Sequence, residues 1–97
     1  MDAEKINDAL KTFLLNSYWK GLYENAPDMV KAHYRLMFYY SLNNIATETE
    51  LSAFKKAKAN VEGQMTVDDW QYLIAQASCG QARAEYRKRM LRKIQTS

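Results

Sequence analysis

The chain has little of the material from which turns are built: three glycines and one proline in 97 residues. A β-sandwich or small barrel of this length needs many turns, so this scarcity argues against an all-β fold. A single cysteine, Cys79, excludes an internal disulfide and fits a reducing compartment, so a cytoplasmic location is expected. The longest apolar run, Leu36-Met37-Phe38-Tyr39-Tyr40, is five residues. A bilayer span needs roughly 20, so no membrane partner is expected. No basic start followed by an apolar block opens the chain, so no signal peptide is expected. Internal repeats and low-complexity segments are also lacking. The composition, 47% hydrophobic and 26% charged, is that of one globular domain rather than a disordered chain.

Charge is unevenly placed. Residues 1–81 carry eight Lys/Arg against ten Asp/Glu, net −2. Residues 82–97 carry six Lys/Arg against Glu85, net +5. The basic character therefore belongs to the last segment and not to the whole domain.

Periodicity predicts four or five helices in a small bundle or orthogonal array, an all-α fold over 1–97. A first helix is expected over about 3–24, where Ile6, Ala9, Leu10, Phe13, Leu14 and Ser17 share one face. From Phe13 onward the apolar surface widens to most of the circumference, as in a central helix or one that touches another chain. Asn25-Ala26-Pro27-Asp28 breaks the chain, with Pro27 suited to a first helical position. A second helix follows to about residue 44 with three apolar stripes, one of them Tyr39 and Leu42. Thr47 and Glu50 form a capping-box pattern that opens a third helix over about 48–61, and Gly63 is placed to end it in a left-handed conformation. Thr66 caps a fourth helix with Val67, Trp70, Leu73, Ile74 and Ala77 inward. After a break at Cys79-Gly80, a basic last helix spans about 81–95. It has Tyr86, Met90 and Ile94 on one side and Lys88, Arg89, Arg92 and Lys93 on the other.

Motifs that would assign chemistry fail on particular residues. Glu62-Gly63-Gln64-Met65-Thr66-Val67-Asp68-Asp69 resembles the second half of a calcium-binding EF-hand loop. That register puts Lys58 at the first ligand position, and an ammonium there opposes calcium. Read as a helix-turn-helix, the same stretch opens its recognition helix with Asp68 and Asp69, which would face phosphates. His33, the one histidine, lies in an apolar stripe and is expected to be a hydrogen-bonded interior residue. Cys79 is expected to be a buried or half-buried thiol at a helix end. No Glu-x-x-His pair and no glycine-rich phosphate loop occurs, so neither catalytic residues nor a metal or cofactor are expected.

Leu51, Phe54, Gly63, Met65, Thr66, Asp68, Asp69, Trp70 and Ile74 form a pattern of helix, Gly-containing turn and Thr-x-acid-acid-aromatic helix start. Over residues 48–74 it resembles the small XkdX-like proteins of phage tail gene clusters. The resemblance implies a phage-derived protein and carries over no site residues. The long aromatic N-terminal half departs from that family.

Aromatic content is the most distinctive feature. Of twelve aromatics, eight fall between Phe13 and Tyr40. Two helices cannot bury all of these on one shared seam, and Tyr and Trp are enriched at protein contacts. Leu15, Trp19, Leu22, Tyr23, Tyr39 and Leu42 lie outside the main stripes and are the candidate protein interface. The expected function is a non-catalytic helical interaction module that binds a protein partner or a second copy of itself. Nucleic-acid binding through Lys88, Arg89, Arg92 and Lys93 is the second reading.

Overall fold

The computed structural model describes residues 2–96, all of whose regular structure is helical. Helix α1 (Ala3–Phe13) is capped by Asp2, whose carboxylate accepts the Glu4 N–H at 2.9 Å. Ile6, Ala9, Leu10 and Phe13 face inward at three- and four-residue spacing.

The single helix expected over 3–24 is two helices. The chain leaves α1 after Phe13, and Asn16 starts α2 (Ser17–Glu24) by accepting the N–H groups of Tyr18 and Trp19 at 2.9 and 3.3 Å. An asparagine that satisfies two unpaired donors of a new helix competes well with continuation of the old one. Leu14 and Leu15 extend the apolar pattern across this corner and hide it in the sequence. The fold is therefore all-α, with six helices among the described residues, one more than the upper expectation. The corner folds Trp19 back edge-on to Phe13, with ring centres 5.9 Å apart.

Helix α3 (Asp28–Leu42) starts directly after Pro27, which sits at the cap position rather than in the first turn. Its buried residues are Val30, His33, Tyr34, Leu36, Phe38 and Tyr39, spread over more than one face. The reason is its position: α3 packs against α1, α2 and two later helices, α4 (Glu48–Gln64) and α5 (Val67–Gln76). Phe13 stacks on Phe38 at 4.1 Å, and Tyr34 stacks on Phe38 at 5.8 Å. The run Leu36-Met37-Phe38-Tyr39-Tyr40 is helical throughout.

At the start of α4, the Thr47 hydroxyl accepts the Glu50 N–H at 3.1 Å and donates to the Glu50 carboxylate at 2.9 Å. The expected stop near residue 61 with a left-handed Gly63 does not occur. The helix runs through Gln64, no glycine has a positive φ, and Met65 ends it in an extended conformation (φ −73°, ψ 139°). Met65 is 0% exposed. Burial of its side chain redirects the chain here, and glycine conformational freedom plays no part. Residues 58–64, the segment tested as a calcium loop, are accordingly helical.

Thr66 and Asp69 form a complete capping box at α5. The Thr66 hydroxyl accepts the Asp69 N–H at 3.2 Å, and the Asp69 carboxylate accepts the Thr66 N–H at 2.9 Å. Asp69 is buried and Thr66 exposed, so the Thr66→Ala variant strips one partner from a part-buried pair. It should lose about 1–2 kcal/mol, read as a lower urea midpoint with an unchanged slope. An unchanged midpoint would show that the cap does not contribute.

Helix α6 (Gly80–Thr96) packs along α5 with Tyr86 and Met90 half-buried. Ile94, expected on the same side, is 48% exposed. No described helix is long and apolar enough to cross a membrane.

Candidate protein-binding surface

The six residues singled out as a candidate interface do not lie together. Leu15 is 88% exposed at the α1–α2 corner. Trp19 and Tyr23 are half-buried against the core. The Trp19 indole meets Phe38 and Tyr34 edge-on at 5.7 and 6.4 Å. Leu22 is half-buried, and its carbonyl accepts the Tyr72 hydroxyl at 2.8 Å, which ties α2 to α5. The Tyr23 hydroxyl accepts from Arg35 Nη1 at 2.7 Å, and its ring lies under Lys31 Nζ at 5.7 Å. Tyr39 is buried and faces Phe54 of α4, so it offers no surface. Leu42, half-exposed, lines a separate shallow hollow with Lys5, Asp8 and Thr12.

The α1–α2 corner exposes a second large apolar residue beyond Leu15. Tyr18, three residues further on, is 54% exposed. The neighbouring pairs Tyr18-Trp19 and Tyr39-Tyr40 carry a signal for this. Adjacent helical residues point about 100° apart, so one member of each pair must turn away from a shared seam. Which member does so depends on the neighbouring helices, and in both pairs a later helix or the α1 corner decides it.

Beside Tyr18 opens a cleft of about 140 Å³ whose walls include Trp19, Leu22, Tyr34, Leu73 and Tyr86. The lining is mainly aromatic and aliphatic, with Gln76, Ser78 and Cys79 as its other polar members and no carboxylate, imidazole or ammonium. Burial, and then the neighbouring tyrosines, hold the Tyr34 hydroxyl above the usual tyrosine range. Burial raises Tyr86 as well. Both hydroxyls therefore stay protonated across the physiological range and can only serve as neutral hydrogen-bonding groups. Cys79 lies at the rim of the cleft and is fully exposed, contrary to the expected buried thiol. It precedes the first turn of α6, and the N–H groups of Ala82 and Gln81 lower its pKa, with Arg83 adding to the effect.

The basic last helix is held against the domain by several of its own cations. Arg89 Nε meets Glu62 of α4 at 2.8 Å, with both side chains largely covered. Lys93 Nζ donates to the Gly63 carbonyl at 2.9 Å. Lys88 pairs with Glu85 at 3.4 Å within α6 itself. Of the four nucleic-acid candidates, Arg92 and Lys93 have no ion-pair partner among the described residues. Cations near the C-terminus of a helix are also favourable on dipole grounds.

His33 is buried at 2% exposure, with the rings of Trp70 and Tyr86 edge-on at 6.1 and 6.0 Å. It is interior as expected, but its Nδ1 has no hydrogen-bond partner among the described residues. These residues include no group of three or more His, Cys, Asp or Glu placed to hold a metal ion. No family model, no curated protein and no solved structure matches the chain.

Proposed function

We propose that this chain is a non-catalytic helical module that binds protein through the α1–α2 corner, with a second copy of itself as the simplest partner. The observation that carries this reading is the exposure of Leu15 at 88% and of Tyr18 at 54% on either side of Asn16, with Tyr18 on the wall of an open cleft. Exposed apolar residues scattered singly need no explanation, but two at one corner, one of them lining a cleft with Trp19, Leu22 and Tyr34, suit a contact surface. The resemblance of residues 48–74 to XkdX-like proteins supports a phage or bacterial setting, and the lone reduced cysteine supports the cytoplasm. The second reading, nucleic-acid binding by α6, is favoured by the exposed Arg87, Lys88 and Arg92, whereas Arg89 and Lys93 are engaged with α4.

The test is the mass in solution as a function of concentration for the natural chain and for Leu15→Glu. Covering one leucine contributes about 1.5–3 kcal/mol, so the variant should weaken association roughly tenfold or more. Its stability should stay within about 0.5 kcal/mol of the parent, because the side chain is in water in the monomer. A single-chain mass at high concentration for both proteins would rule out self-association.

A further inference from the structure

A second groove lies between α3 and α4, remote in sequence from the α1–α2 corner. Met37, Leu51 and Phe54 give it apolar walls, Tyr40 borders it, and Lys55 and Lys58 complete the lining of a space of about 300 Å³. Tyr40 is half-exposed, with its ring stacked on Phe54 at 5.0 Å. The lining holds two ammonium groups and no carboxylate. The other charged hollows differ in this respect: Asp8 lines the one beside α1, Glu62 the one between α4 and α6, and Glu48 the one at the start of α4.

The sequence explains why the two lysines are left unbalanced. They are three residues apart on one helix face, where like charges repel. The one acid within a turn of Lys58 is Glu62, which Arg89 holds at 2.8 Å. Lys55 has no acid three or four residues away on either side, and α3 has none after Asp28. Neither lysine forms an ion pair among the described residues.

We infer that this groove binds an acidic amphipathic helix of another protein, with aliphatic side chains on Met37, Leu51 and the half-exposed Tyr40 and carboxylates at Lys55 and Lys58. The inference rests on the reading of the chain as a protein-binding module. Laying the apolar face of a helix into such a groove is a common mode of recognition, and the charged rim sets which helices are accepted. A second copy of this chain is a poor occupant. Its exposed Leu91 and Ile94 are accompanied by Arg87, Lys88 and Arg92, which would meet like charge, and its exposed Leu15, Tyr18 and Leu42 have no acid within four residues to meet the lysines. Nucleic acid fits less well, because the groove has no arginine to read a base edge and Phe54, one of its two aromatic residues, is only 5% exposed.

Two synthetic peptides of about 18 residues, long enough to be helical, test this. Both carry the same leucine stripe, and the remaining positions are Glu-rich in one and Lys-rich in the other. Titrated into the isotope-labelled full chain, the Glu peptide should shift the amide signals of Met37, Tyr40, Leu51 and Lys55. It should bind about tenfold tighter than the Lys peptide, the effect of two partly screened charge pairs. Lys55→Glu, at an exposed position, should abolish that preference, whereas Tyr40→Ala should weaken both peptides alike. Equal affinities overturn the proposal. So do shifts centred on Leu15 and Tyr18, which would leave the wider protein-binding reading intact. Binding of neither peptide also overturns it, and the mass measurement on Leu15→Glu then decides the wider reading separately. A thymidine oligonucleotide that shifts these signals more strongly than the Glu peptide would overturn it in favour of nucleic acid.

Discussion

Trp70→Ala should destabilise the protein by about 3–5 kcal/mol, the cost of truncating a large buried aromatic. A chain of this length has only about 5–15 kcal/mol of stability in total, so the variant should lose a large share of it. Trp70 is 2% exposed and sits on α5, with His33 of α3 and Tyr86 of α6 against its ring system at 6.1 Å each. Its removal opens a void where three helices meet, and none of them can close over it without losing its other contacts. Trp19→Ala provides the comparison. Trp19 is also packed among aromatics but is half-buried, so water can fill part of the space and the loss should be smaller. Chemical unfolding followed by far-ultraviolet circular dichroism measures both variants. A Trp70→Ala protein within about 1 kcal/mol of the parent would show that the core repacks around the missing indole.

Acidification should destabilise the protein through His33. Burial, and then the nearby charges of Lys58 and Arg89, lower its pKa from the ordinary 6.5 to about 4. In the folded state the ring therefore holds its proton less tightly than in the unfolded chain. The stabilising contribution is fully present above about pH 6.5 and is lost as the pH falls toward 4, where the folded protein also begins to take up the proton. Across that window the loss is on the order of 3 kcal/mol, for a ring whose Nδ1 has no partner to hold a proton. The unfolding free energy of the parent and of His33→Leu, measured at several pH values from 7 to 4, separates this group from the carboxylates. The variant should lose less stability than the parent over the window, and its curve should cross or approach the parent's near pH 5. Parallel curves for the two proteins would exclude His33 as the source.

Much of the helix content was legible because it is written in local chemistry. Pro27 and Asp28 start α3 through a fixed φ and an acid in the first turn, and Thr47 with Glu50 and Thr66 with Asp69 start α4 and α5 through hydrogen bonds that span three residues. The inward placement of Trp70, Leu73 and Phe54 followed from helical spacing alone. Asn16 is a cap of the same kind and was equally local. It was obscured because Leu14 and Leu15 continue the apolar pattern through the corner, and periodicity outweighed a lone polar residue.

What the sequence by itself determined is that the chain is all-α, where most of its helices begin, and that its aromatics exceed what one seam can bury. The tertiary structure alone decided which aromatics face out. Tyr39 and Tyr40 are neighbours with the same side chain, yet Phe54 and the rest of α4 cover the first and leave half of the second in water. It also decided that α4 runs through Gln64, because the buried Met65 and not Gly63 turns the chain, and that Arg89 is spent on Glu62. Spacing along one helix specifies its faces to within a turn. Whether a face meets a neighbour, a cation or solvent is fixed by contacts between residues far apart in the chain, which local periodicity does not encode.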